Sequence, residues 1–175
     1  MLKVEETQTS VEFSAALIAK FDDIKSRYPE GKQKSGLLPI LHLVQAEYGW
    51  VSAPAMDKVA EYLSILPIEV YEVATFYTMY FMRPQGKYVL EVCRTSACCL
   101  VGAEKIMDYI EQKLGVKEGE VTPDGLFSWR GVECLAACGF APVLQIGPEY
   151  TFYENLTTES VDKLIVDLKA KANAN

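Results

Sequence analysis

This chain has one histidine, His42, in 175 residues. Catalytic schemes that run on histidine lose their main residue, a Rieske-type centre, which needs two histidines, is nearly excluded, and His42 reads instead as a core or boundary residue of a helix. No Lys/Arg stripe or basic run accompanies the net charge of −7, which argues against a nucleic-acid partner. No Gly-rich dinucleotide motif is present. No segment nears the roughly 18 uninterrupted apolar residues of a spanning helix, so no direct membrane span is expected. The opening residues Met1–Thr7 lack the apolar region of a secretory leader. The expectation is a cytoplasmic protein, able to meet a membrane only through a partner. Half of the residues are hydrophobic and 23% are charged, which suits a globular chain with a sizeable core. Acidic pairs such as Glu5-Glu6 and Asp22-Asp23 read as solvated faces.

What is present changes character midway. The first half reads as helices. Phe13, Leu17, Phe21 and Ile24 recur at helical spacing, with Ser10 as the cap, and the stretch stops at Tyr28-Pro29-Glu30-Gly31. Leu37, Leu41, Val44 and Tyr48 stripe a second helix ending at Gly49. A third opens at Ser52 with Pro54 in its first turn. A fourth opens near Pro67 and buries Val70, Val73, Ala74 and Tyr77. Four short amphipathic helices with brief connections predict a small bundle over residues 1–83. Arg83-Pro84-Gln85-Gly86-Lys87 is a linker, and residues 84–175 read as β-α-β-β-α with one further short strand before the last helix. Tyr88–Val92 is a strand, and Ala103, Ile106, Met107, Ile110 and Leu114 line a helix closed by Gly115. Strands follow at Leu126–Val132, Pro142–Gly147 and Tyr150–Tyr153. A last helix opens near Thr157, with a frayed tail from Ala170. The fold class is α+β.

Five cysteines, an odd number without an export signal, make a disulfide framework the weakest reading. Four of them form two tight pairs, Cys93-Arg-Thr-Ser-Ala-Cys98 and Cys134-Leu-Ala-Ala-Cys138. Each pair follows a strand, and the two strands are joined through a helix. Such a crossover makes the strands parallel, so both pairs leave the sheet at the same edge. Four thiolates meeting there can hold an iron–sulfur cluster or a zinc ion. Structural zinc favours C-x2-C knuckles, so spacings of C-x4-C and C-x3-C lean toward iron without removing zinc. Ser96, Ala97, Ala136, Ala137 and Gly139 are small enough for backbone N–H groups to approach sulfur, and Arg94 adds a positive charge beside the set.

From about Lys34 to Leu156 the chain resembles the thioredoxin-like 2Fe–2S ferredoxins, in the form that serves as the E subunit of NADH:quinone oxidoreductase, respiratory complex I. The resemblance is carried by Leu38-Pro39, Gln45–Trp50, Val73-Ala74-Thr75-Phe76-Tyr77 and Gly86-Lys87-Tyr88. It continues through Lys113–Lys117, Gly119-Glu120, Thr122-Pro123-Asp124, Val132-Glu133-Cys134-Leu135, Ala141-Pro142 and Tyr153-Glu154-Asn155-Leu156. It implies a helical bundle followed by a thioredoxin-like domain. It implies that Cys93, Cys98, Cys134 and Cys138 hold one 2Fe–2S cluster that exchanges single electrons with FMN. The FMN and NADH sites are expected on a partner, the flavin- and NADH-binding subunit of the peripheral arm. The complex would stand on the cytoplasmic face of the inner membrane. Two other hosts remain open, as this chain could be a diaphorase subunit of an NAD-linked hydrogenase or of a formate dehydrogenase. A zinc-stabilised interaction module is the reading from another class.

Two positions depart from the family pattern. Members often carry Gly where Ala136 stands, and Ala is costly there if its φ is positive. Cys99 is an extra cysteine beside a ligand and reads as a small buried hydrophobe. Thioredoxin-like folds often hold a cis proline near the active edge. Pro142 is the candidate, and the base rate of about 5–6% for X-Pro bonds leaves the isomer undecided. The aromatic run Thr75–Phe81 suits core packing, partner docking or both. The ligand assignment predicts that Cys99→Ser keeps the cluster spectrum while Cys98→Ser loses or perturbs it. An unaltered spectrum in Cys98→Ser overturns the assignment.

Overall fold

A computed structural model describes residues 11–174. The chain divides into two compact units, Met1–Pro84 and Gln85–Asn175.

The first unit is helical. α1 (Ala15–Ser26) is capped by Ser14, whose Oγ accepts from the Leu17 N–H at 3.1 Å. The expected cap, Ser10, lies outside the described residues. Phe13 therefore precedes the helix and packs edge-on against Phe21, ring centroids 5.3 Å apart. A 3-10 turn at Gln33–Gly36 leads into α2 (Leu37–Tyr48), which ends at Gly49 with φ +79°, a conformation glycine adopts without strain. α3 (Ala53–Leu63) opens on a Ser52 cap, and α4 (Pro67–Phe76) on a proline in its first turn. Phe21, Ile40, Leu41, Val44, Met56, Val59 and Val70 are fully buried in one core.

α4 stops at Phe76, so Tyr77 lies beyond it and is 38% exposed rather than buried. The irregular segment that follows is fixed by a buried glutamine. Gln45 Nε2 donates to the Met79 carbonyl at 2.9 Å and its Oε1 accepts from the Phe81 N–H at 2.7 Å. Tyr80 OH donates to the Leu38 carbonyl at 2.9 Å. The aromatic run thus splits: Tyr80 is buried in the core, and Phe76 projects outward at 77% exposure.

The second unit is a four-stranded mixed sheet in the order β2-β1-β3-β4. β1 (Tyr88–Cys93) runs parallel to β2 (Phe127–Val132), with Cys93 opposite Val132. β3 (Leu144–Gly147) is antiparallel to β1, and β4 (Thr151–Tyr153) to β3. The β1–β2 crossover holds a short helix, α5 (Ser96–Leu100), which the apolar periodicity did not signal, and then α6 (Ala103–Leu114). The final helix, α7 (Thr158–Asn173), runs through the stretch expected to fray. Packing explains the extension: Leu168 is buried, Ala172 lies against the core, and Lys171 Nζ pairs with Glu149 at 3.1 Å.

Strand alternation gives the sheet two different faces. Tyr88, Leu90, Val92, Phe127, Trp129, Leu144 and Ile146 join Ile106 and Ile110 of α6 and Val161, Leu164 and Ile165 of α7 in one core. Val89, Glu91 and Cys93 alternate onto the other face of β1. Among the described residues no helix is long and apolar enough to cross a membrane.

Gly86 sets how closely the chain entering β1 can approach β2. A Cβ there would lie 2.4 Å from the Phe127 carbonyl carbon and 2.7 Å from the Ser128 nitrogen, both backbone atoms. Neither can turn aside as a side chain could. Gly86→Ala is expected to lower unfolding stability by about 2 kcal/mol, in the range of other overpacked sites. A urea midpoint equal to wild type would show that the strands can separate freely at this point.

Candidate metal centre

The register of β1 and β2 brings both cysteine segments to one edge of the sheet. Cys93 is the last residue of β1, and Cys98 lies in α5 just beyond it. Cys134 follows the end of β2 by two residues, and Cys138 opens a 3-10 turn, Cys138–Phe140. The Arg94 N–H donates to the Val132 carbonyl at 2.9 Å, tying the first loop to the root of the second. The Cys93 N–H donates to the Val143 carbonyl at 3.0 Å, which joins the edge to the chain entering β3. That chain passes through Pro142, whose bond to Ala141 is cis, as is the Gly147–Pro148 bond.

The two pairs differ in exposure. Cys93 and Cys98 are buried with Ala103, and Leu135 and Ala141 pack against them. Leu135 belongs to the second loop, so the loops are in contact. Cys134 and Cys138 are exposed, with their sulfur atoms 4.0 Å apart. Hydrogen-bond donors reach the sulfurs. The Ala136 N–H donates to Cys134 Sγ at 3.3 Å, and Thr95 Oγ1 lies 3.3 Å from Cys93 Sγ. Burial raises the Cys93 thiol, yet the Thr95 hydroxyl and the Thr95 and Leu135 amides together hold it below the ordinary thiol value. Cys98 is pushed up to about 11 by burial and by its neighbour Cys93. Cys138 is raised by Cys134. Cys98 and Cys138 also feel charge across the loops, from Cys138 and Cys93 respectively, so the four thiols form one electrostatic set.

This donor set can be compared with each candidate metal. Among the described residues no three His, Cys, Asp or Glu side chains close on one point. The thiols come as two pairs, one in each loop, open to one ion with four thiolates or to two ions with two each. All-sulfur donors, amide N–H groups aimed at sulfur and small neighbouring side chains suit a binuclear iron–sulfur cluster.

Other expectations fare differently. Cys99 Sγ donates to the Arg94 carbonyl at 3.2 Å, so the fifth thiol is half-buried and occupied by backbone. Arg94 does not stand as a lone positive charge. Its guanidinium lies 4.0 Å from both Glu118 and Glu133, and its Cδ lies over Gly131, where a Cβ would come within 2.9 Å. His42 is exposed on α2 in the first unit rather than part of its core, with its ring 5.1 Å from that of Tyr80. Thr95 and Leu135 were not singled out from sequence. A hydroxyl two residues after a candidate ligand was the available signal for Thr95; Leu135, which packs on the inner pair and offers its backbone amide, carried none.

A mixed sheet of this order with four thiols at one edge defines the class, a thioredoxin-like fold able to carry a thiolate-bound group. The chain belongs to the thioredoxin-like [2Fe-2S] ferredoxin family, whose model matches residues 21–169. It is 41% identical over 162 residues to the E subunit of NADH-quinone oxidoreductase from Rickettsia bellii, covering 92% of this chain and 96% of that protein. It is 41% identical over 145 residues to NADH-quinone oxidoreductase subunit 2 of Thermus thermophilus, covering 83% and 80%. Among solved structures, an NAD+-reducing [NiFe]-hydrogenase in the air-oxidized state shares the fold with a TM-score of 0.67. There the identity is 21%, over 78% of this chain and 23% of the hydrogenase chain.

The backbone is strained at Ala136. Ala136 has φ +58°, in the left-handed region, where a Cβ costs about 1 kcal/mol. Ala136→Gly is expected to raise unfolding stability by about 0.5 kcal/mol or more, after the entropy of the freer unfolded chain is deducted. A higher urea midpoint with unchanged metal content is the expected result. A lower midpoint would mean that the Cβ contributes packing that outweighs the strain.

Proposed function

We propose that this chain is the electron-transfer subunit of an NADH:quinone oxidoreductase. In this reading Cys93, Cys98, Cys134 and Cys138 ligate one 2Fe–2S cluster. The observation that carries it is the delivery of two thiol pairs to one sheet edge by the parallel β1–β2 pair. When bound, the cluster supplies one-electron redox chemistry. The protein's part is to hold, shield and orient. Leu135 and Ala141 cover the inner pair from water. Amides of Leu135 and Ala136 and the Thr95 hydroxyl point at sulfur, where negative charge collects. Leu100, Val101 and Phe140 flank the cysteine positions as exposed apolar side chains, at 86%, 56% and 51% exposure. Exposed apolar side chains next to the ligand loops suit docking of the protein that exchanges electrons with the cluster.

That partner is the flavin- and NADH-binding subunit of the complex, with FMN and NADH on its chain and not on this one. The names of the relatives at 41% identity support this host over a hydrogenase or formate dehydrogenase. The hydrogenase likeness, at 21% identity, speaks only for the fold. Placement on the cytoplasmic face of the inner membrane follows from the same host and needs no spanning helix in this chain.

The purified protein is expected to be reddish-brown, to bleach with dithionite and to give an S = 1/2 EPR signal when reduced. Colourless protein carrying one zinc per chain would refute the redox reading and leave the zinc-stabilised module.

A further inference from the structure

A charged group that ligation does not use lies behind the cysteine edge. Glu91 stands in the middle of β1 and is 2% exposed. Its carboxylate accepts from Arg130 Nε at 2.9 Å, from the Arg130 Nη2 and from the Gln145 Nε2. Register places Arg130 on β2 and Gln145 on β3 directly opposite Glu91. Side chains alternate along a strand, so Glu91 shares its face with Cys93, two residues and roughly 6.6 Å farther along. Arg130 stands equally far back from Val132, whose strand leads into Cys134. The pair is thus one step behind the ligand loops.

Adding an electron makes the site more negative by one charge, with no bond formed or broken in the protein. A carboxylate behind the site opposes that change and a guanidinium favours it. Arg94, Glu118 and Glu133 carry charge nearby too, but their side chains are 48–77% exposed, and water and salt screen them. Glu91 is shielded from that screening, so its field acts through an effective dielectric well below that of water. We propose that the Glu91–Arg130 pair, its carboxylate buried and its guanidinium half-buried, tunes the reduction potential of the group held by the four cysteines. The carboxylate pulls the potential down and the guanidinium pulls it up. This rests on the ligand reading given under Proposed function.

The test is an EPR-monitored dithionite titration of the full-length, cluster-loaded chain at low and at high salt. Glu91→Gln, which keeps the shape, is expected to retain the EPR signal and move the midpoint to more positive values. Arg130→Gln is expected to move it to more negative values. Both shifts should persist at high salt. Unmoved midpoints, or shifts of the same sign in both variants, overturn the proposal, because a purely structural role predicts no opposed signs. Should Glu91→Gln fail to fold, Arg130→Gln decides alone: a negative shift supports the assignment, and no shift or a positive one ends it. A wild-type chain without iron or signal overturns the ligand reading itself. That failure is distinct from an intact signal with unmoved midpoints.

Discussion

β1 and β2 pair in parallel, and a parallel pair cannot be closed by a tight turn. The chain must leave the top of β1, cross a face of the sheet and re-enter at the bottom of β2. It does so through α5 and α6, whose apolar stripe at Ile106 and Ile110 joins the core beneath the strands. Because both strands then end at the same edge, whatever follows Cys93 and Val132 is placed together. A hairpin would have sent the two cysteine segments to opposite ends. The position of the site is therefore a property of topology, and the core of the second unit is what enforces it.

Within that frame the loops contribute fine geometry rather than stability. Leu135 joins them by packing on the inner pair, while its own amide is directed at Cys93. Ala136 adopts a left-handed conformation that sends its N–H to Cys134. A local cost of about 1 kcal/mol is small against the several kcal/mol from burying Leu144, Ile146, Val161 and Leu164, each worth about 1.5–3 kcal/mol. A site of this kind can keep strained, exposed loops because its support lies elsewhere.

The helices were legible because their apolar positions repeat at 3.6 residues and their ends carry physical stops: Ser52, Pro54, Gly49, Gly115. Errors fell where a local signal had competitors. Ser14, not Ser10, is the cap that the structure shows for α1, and either serine could have capped a helix carrying that stripe. Tyr77 sits at helical spacing from Val70 and Val73, but the helix ends one residue earlier and Gln45 captures the chain beyond it. The C-terminal tail held too few large apolar residues to announce a helix that Ala172 and the Lys171–Glu149 pair extend. The cysteine edge was legible from strand order alone. The N–H groups that reach sulfur were not, since backbone amides carry no residue identity.

Glu91 shows the same limit more sharply. In Tyr88-Val89-Leu90-Glu91-Val92 a lone acidic residue reads as the solvent side of a strand, because periodicity says which face a residue takes and not whether that face is covered. Every residue of β1 is in fact buried. A buried ion pair contributes little net stability: desolvation offsets the attraction, and apolar residues of the same shape serve as well or better. The Arg130–Glu91–Gln145 row is therefore weak evidence for stability. What aliphatic side chains cannot do is hold a charge of known sign at a fixed depth behind Cys93. Under the proposed ligand reading, a charge buried one step behind the thiols acts on the energy of the electron held there as well as on the fold.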